Sequence, residues 1–145
     1  MQTRTPRPSD FAAWAELYAG YAAFYQVEQT EEMRARVWGW ITDPAHEVEA
    51  LVAVDGDRLV GLAHFRGFAR PLAASTGGFL DDLFVHPGAR GGGAAEALIA
   101  GVAEEGRRRG WSVIRWITAE TNYRARGLYD QMALRTPWVT YDLKL

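Results

Sequence analysis

The sequence predicts an α+β domain, a twisted mixed sheet of about six to seven strands flanked by about four helices. Three observations carry this. Apolar stretches at Glu49–Val54, Arg58–Phe65 and Phe79–Val85 follow one another with no helix between them, which makes an antiparallel meander. The strand, helix and strand at 79–85, 93–109 and 113–118 then require a parallel pair joined by a right-handed crossover. Ahead of both, Trp14, Leu17, Tyr18, Tyr21, Phe24 and Tyr25 recur at helical spacing and form one apolar stripe.

Each element has a local reason. Gln2–Thr5 reads as a short first strand. Ser9 or Asp10 is placed to cap the striped helix by accepting from its unpaired N–H groups. A second helix is predicted over Thr30–Ile41, where Glu31 and Glu32 suit the positive helix end. Thr30 and Met33 lack the pairing of a capping box, and Asp43-Pro44 ends the helix. Asp55-Gly56-Asp57 is a tight turn between two strands. Alternation puts Leu59, Gly61, Ala63 and Phe65 on one face of the next strand and Val60, Leu62 and His64 on the other.

Residues 67–78, with Pro71, Ser75, Thr76, Gly67, Gly77 and Gly78, read as a loop. Pro87-Gly88 stops the third long strand. Gly92 or Gly93 opens a long helix to Arg109, closed by Gly110 with Arg107–Arg109 at its negative end. Val113–Thr118 is a strand and Asn122–Met132 a helix. Trp138–Leu143 is apolar at alternate positions and reads as a final strand, with Pro137 marking a bulge or an edge.

Composition narrows the function. One domain spanning 1–145 fits the length of 145 residues. A formal charge of −2 argues against nucleic acid as a partner. With no cysteine there is no disulfide, thiolate nucleophile or cysteine–metal site. His46, His64 and His86 have no ligand spacing, so no metal is expected. No apolar run or leader-like N-terminus is present, and the expectation is a soluble cytoplasmic protein without a membrane partner.

The sharpest feature is the run from Val85 to Leu98, in which a strand enters Gly91-Gly92-Gly93 and leaves as a helix. Glycines let a backbone curl close to a ligand, and N–H groups at a helix N-terminus attract anions, phosphate above all. A bare connection is the plain alternative, but three glycines in a row weaken a helix start without a reason. A P-loop would need Lys-Ser/Thr where Ala94-Ala95 stand. A dinucleotide fingerprint would need a third glycine where Glu96 stands.

These residues carry a resemblance. Arg90-Gly91-Gly92-Gly93-Ala94-Ala95 is similar to the R/Q-x-x-G-x-G/A signature of GNAT N-acetyltransferases. Phe79–Val85 resembles that family's fourth strand, and Asn122–Tyr129 its N-x-x-A-x-x-x-Y helix. The local wording of Leu80–Val85 and Trp116–Asn122 looks most like the branch of diamine and histone/polyamine acetyltransferases.

The resemblance implies acetyl-CoA as donor and a primary amine as acceptor: a small polyamine, an amino-acid-like amine or a peptide lysine. Backbone amides of Arg90, Gly91, Gly92, Gly93, Ala94 and Ala95 would hold the diphosphate. Exposed backbone at Leu83, Phe84 and Val85 would pair with the pantetheine arm, aided by Asn122, which would also cap its helix. Asp81 would take the amine proton, directly or through water, with Asp82 as the alternative; strand alternation lets only one of them face the cleft. Tyr129 would protonate the leaving thiolate.

The acceptor would be bound by Tyr25 and Glu28 with Asp81, with the 66–78 loop folding over it. Arg107–Arg109, Arg124 and Arg126 read mainly as solvated cations. A homodimer is expected. Two other readings are a non-catalytic CoA-binding or partner-binding module on the same fold, and a nucleotide-binding protein that uses the glycine turn.

Overall fold

A computed structural model describes residues 1–145. The chain runs β1 (Gln2–Arg4), α1 (Phe11–Phe24), α2 (Glu31–Ile41), β2 (Glu49–Asp55), β3 (Arg58–Arg70), β4 (Ser75–Val85), α3 (Ala94–Arg109), β5 (Ile114–Arg115) and α4 (Tyr123–Met132). The five strands form one sheet in the order β1-β2-β3-β4-β5. The first four pair antiparallel, and β4 pairs with β5 in parallel. The class is therefore as expected, with five strands instead of six or seven. No helix is long and apolar enough to cross a membrane.

The sheet buries both faces. On one, α3 lays Ala94, Leu98, Ile99 and Val102 against Ala53, Val60, Ala63, Phe65 and Leu80. On the other, α1 and α2 set Trp14, Leu17, Tyr18 and Ile41 against Ala50, Val52, Leu62 and Phe84. Trp14, Leu62 and Leu98 are fully buried. Such side chains contribute roughly 1.5–3 kcal/mol each through removal of apolar surface from water.

Two β-bulges alter the faces that strict alternation assigns. The β2–β3 register shifts between Ala53 and Val54, so that Val60 has no partner and packs with Ala63 and Phe65 under α3. Leu59 turns to the α1 side instead. The second bulge lies where His64 pairs with Asp82 and Phe65 with Leu80, leaving Asp81 as the extra residue in β4. A bulged residue kinks its strand and re-aims side chains.

Other expectations need correction. Residues 67–78 form no loop. They are the far half of a long hairpin, with Gly67 opposite Gly78 and Arg70 opposite Ser75, reversed at Pro71–Ala73. The glycines there make room for an indole, since a Cβ on Gly78 would lie 2.5 Å from the ring of Trp111. The predicted strand Val113–Thr118 shrinks to Ile114–Arg115.

Trp138–Leu143 forms no strand. Ala133 leaves α4 extended, at φ −147° and ψ 178°, and no regular structure follows. The alternation of that segment is real, but no strand of the chain lies beside it. At the other end, the Asp10 side chain does not cap α1. It accepts from the Arg7 amide at 2.6 Å and pairs with Arg4 at 2.7 Å. Thr30 Oγ1 does accept from the Met33 amide, and Met33 Sδ accepts in return from the Thr30 amide, so a capping box closes through sulfur.

Candidate functional site

The turn between β4 and α3 is built to leave amides free. His86 Nδ1 accepts from the Gly88 amide at 3.0 Å and holds a short turn over Pro87–Ala89. Gly91 and Gly93 then adopt φ of +83° and +84°, a region that side-chain-bearing residues rarely enter. Gly93 is the N-cap of α3, and the first helical bond runs from the Ala97 amide to its carbonyl. The amides of Arg90, Gly91, Gly93, Ala94, Ala95 and Glu96 have no acceptor within the protein. Gly92 differs, because its amide turns back to the Ala89 carbonyl at 3.4 Å.

These amides open onto a cleft of about 400 Å³. One wall is Leu83, Phe84 and Val85 of β4, and the facing wall is Asn122, just before α4, with Leu128 and Tyr129 of α4. Parallel pairing of β4 with β5 covers only Gly78–Ile114 and Phe79–Arg115. From Leu80 to Val85 that edge of β4 has no strand beside it, so its backbone is free to accept an extended ligand.

Tyr129 packs edge-on against Trp116, with ring centroids 5.3 Å apart. Burial, with Tyr25 nearby, pushes its phenol up to about 12. Asn122 lines the cleft but does not cap α4; its Nδ2 donates to Thr118 Oγ1 at 3.4 Å.

A second constellation lies on the α1 face of β4. The bulge at Asp81 brings both carboxylates to that face, against the expectation that only one could reach it. Asp81 accepts from Arg66 Nε at 3.2 Å. Asp82 accepts from His64 Nδ1 at 2.8 Å and from the Tyr18 hydroxyl at 2.9 Å. Behind them the Trp14 indole, a donor only, donates to His64 Nε2 at 3.0 Å. That contact fixes the histidine in its Nδ1–H tautomer. The chain Trp14–His64–Asp82–Tyr18 is thus fully paired.

The two carboxylates are driven apart. Burial raises the Asp81 carboxyl above the ordinary range, and Arg66 offsets this only in part. Burial also raises Asp82, but the hydrogen bonds from His64 and Tyr18 outweigh it and hold the group below its ordinary value. The phenols of Tyr18 and Tyr21 are pushed up, first by burial and then by the Asp82 charge.

Of the residues proposed from sequence, Leu83, Phe84, Val85, Arg90, Gly91, Gly93, Ala94, Ala95, Asn122, Tyr129 and Tyr25 line the cleft together. Gly92 does not. Asp81 stands on the α1 side of the same strand. Glu28 is exposed beyond α1 and lines no part of the cleft. Arg124 reaches the cleft, whereas Arg107 and Arg109 form ion pairs with Glu104 and Glu49. Residues 66–70 and 75–78 are paired strand joined by a turn at Pro71–Ala73, where a loop over the acceptor was expected. Sequence reasoning missed His64, Arg66, Trp14, Tyr18 and Tyr21. The available signal was a stripe of aromatics with polar tips opposite a strand histidine, a pattern that otherwise reads as plain core.

Comparison with known proteins agrees with this geometry. The profile of the acetyltransferase (GNAT) family matches residues 14–133. The D-amino-acid N-acetyltransferase of Saccharomyces cerevisiae is 28% identical over 137 residues, covering 92% of this chain and 84% of that protein. A ribosomal-protein-alanine N-acetyltransferase from Brucella melitensis superposes with a TM-score of 0.81 at 27% identity, covering the whole of both chains. An aminoglycoside N-acetyltransferase in complex with CoA has a TM-score of 0.85 at 19% identity, over 99% of this chain and 93% of that one, a likeness of fold. The chain belongs to the acetyltransferase (GNAT) family and is an acyltransferase.

Proposed function

We propose that the protein transfers an acetyl group from acetyl-CoA to the amine of a small amino-acid-like or polyamine acceptor, by direct attack with both substrates bound. The observation that carries this is the set of unpaired amides at Arg90, Gly91 and Gly93–Glu96, opening on a cleft whose far wall holds Tyr129. Those amides, at the positive end of α3, suit the diphosphate. The unpaired edge at Leu83–Val85 suits the amide-rich arm, and an amide there would donate to the oxyanion that develops on the carbonyl.

Asp81, with its raised carboxyl, takes the proton of the acceptor ammonium, through water where the short side chain falls short. Asp82 remains ionised and draws the cation in. The free amine attacks the thioester carbonyl, so that a C–N bond forms and the C–S bond breaks. Tyr129 gives its proton to the departing thiolate, and the second proton shed by the attacking nitrogen returns, through water, to the tyrosine. A phenol held at about 12 is fully protonated at neutral pH and ready for that role.

Arg66 beside Asp81 adds a cation to the acidic pair, which suits a zwitterionic amine carrying its own carboxylate. The amino-acid substrate in the name of the yeast relative supports the same choice. The site also fits polyamines through Asp81 and Asp82 alone.

A panel of amino acids, polyamines and a lysine peptide, incubated with acetyl-CoA, tests this through release of free thiol. Release is expected with at least one amino-acid-like amine. Tight CoA binding with no thiol release across the panel would make the protein a non-catalytic CoA-binding module instead.

A further inference from the structure

We infer that the amine acceptor is a dicarboxylic amino acid: its amine and near carboxylate meet Asp81 and Arg66, and its side-chain carboxylate meets Arg115 across an aromatic floor of Phe68 and Phe79. The inference rests on the proposed acetyl transfer and narrows its acceptor.

Strand register builds this surface. Arg66 lies opposite Phe79, and Phe79 lies opposite Arg115, so one residue from each of β3, β4 and β5 stands in a row across the sheet. Phe65, Leu80 and Ile114 pack toward α3, so their strand neighbours Arg66, Phe79 and Arg115 point to the α1 side, where Asp81 also stands. Phe68 shares that face, two residues after Arg66. The two arginines are two strand spacings apart, roughly 9.5 Å between backbones. The cluster under α1 and α2 stops short of the row and includes none of these four side chains. They are half-buried and form an open continuation of the face that carries Asp81.

The side chains stack as cation, ring, ring, cation. The Arg66 guanidinium lies 5.1 Å over the Phe79 ring, Phe79 meets Phe68 edge-on at 6.1 Å, and the Arg115 guanidinium lies 5.5 Å over Phe68. Arg66 uses only its Nε, on Asp81, which leaves both Nη nitrogens to donate outward beside the proposed base. The Arg115 side chain makes no hydrogen bond and no ion pair within the protein, although it is half-buried. A cation drawn partly out of water over an apolar ring calls for a counter-charge, and a planar guanidinium fork matches a carboxylate. The rings between the two heads offer no hydrogen bond, so the segment that joins the two carboxylates is aliphatic. A diamine whose second ammonium ran this way would meet Arg115 with like charge.

The test compares glutamate with glutamine as acceptors, by thiol release from acetyl-CoA, because the two differ in side-chain charge and not in length. Wild-type kcat/KM is expected to be at least about tenfold higher for glutamate, and Arg115→Gln should bring the two within about twofold, with Arg115→Lys between. In parallel, glutamate is titrated calorimetrically into the CoA-loaded protein, where Arg115→Gln should raise its Kd at least about tenfold. Equal use of glutamate and glutamine by the wild type, or a preference that survives Arg115→Gln, would overturn the inference and leave acetyl transfer standing. Thiol release from no amine, with glutamate still bound through Arg115, would overturn the reaction and keep Arg115 as a carboxylate site. The wild-type comparison decides the matter even if the variants fail to fold.

Discussion

His64 lies 1% exposed between an indole that only donates and a carboxylate that only accepts. Its two ring nitrogens match both needs, which explains a polar residue at the centre of an aromatic cluster. Replacing it, as in His64→Leu, leaves the buried Trp14 N–H without an acceptor and leaves Asp82 with the Tyr18 hydroxyl but without its histidine donor. A loss of about 2–4 kcal/mol of stability is expected by urea unfolding.

Asp82 makes a pH-dependent claim. Its carboxyl is lower in the fold than in the unfolded chain. It therefore contributes stability that is complete above the ordinary carboxylate value and is lost as pH falls through the folded value. Asp82→Asn should flatten that acid loss in unfolding experiments between neutral pH and about pH 3. Asp81 has the opposite sign, because its raised carboxyl stays protonated to a higher pH. The rate should fall as pH drops through that value, and Asp81→Asn should remove this limb of the pH-rate profile. Tyr129→Phe should lower kcat by about 100-fold while CoA affinity stays within about twofold, since in the proposed reaction the hydroxyl acts on the leaving sulfur and not on the diphosphate.

At the scale of elements, the informative places are those where strand periodicity breaks. A bulge shifts one residue in a ladder, so no alternation rule applied to Phe79–Val85 places Asp81 and Asp82 on one face. The bulge becomes visible only when β3 and β4 are paired. Glycine misled in the same way. Gly67 and Gly78 signal a loop when read locally, yet they sit opposite each other so that Trp111 can lie flat on the hairpin. Gly78→Ala drives a methyl into that ring and should cost about 1–3 kcal/mol of stability.

Gly93→Ala tests the other use of glycine. A Cβ there meets nothing within 4 Å, so the cost is backbone strain alone, about 1–2 kcal/mol, with weaker CoA binding as the turn relaxes. By contrast, α3 was legible from end to end: glycine before it, a Leu98 and Val102 face within it, and Gly110 at φ +76° after it.

For the whole molecule, the order of elements as far as α4 and the parallel β4–β5 step follow from the sequence, because each is set by local pattern and short connections. The turn at Arg90–Ala95 and the place of Tyr129 in the cleft were legible, the first from a glycine run between strand and helix and the second from the resemblance of Asn122–Tyr129 to a family motif. The Trp14–His64–Asp82–Tyr18 chain was not, since it joins residues 50 and 64 positions apart that only tertiary packing brings together. The strand expected over Trp138–Leu143 is absent, because alternation alone supplies no neighbouring strand to pair with.

The central claim is that the unpaired amides at the start of α3 grip the diphosphate of CoA. A crystal structure with CoA bound tests it most directly. Diphosphate oxygens are expected within about 2.7–3.2 Å of amide nitrogens in the stretch from Gly91 to Ala95, with the Gly92 amide still turned to Ala89. A diphosphate held elsewhere on the protein, with those amides left in water, would contradict the account.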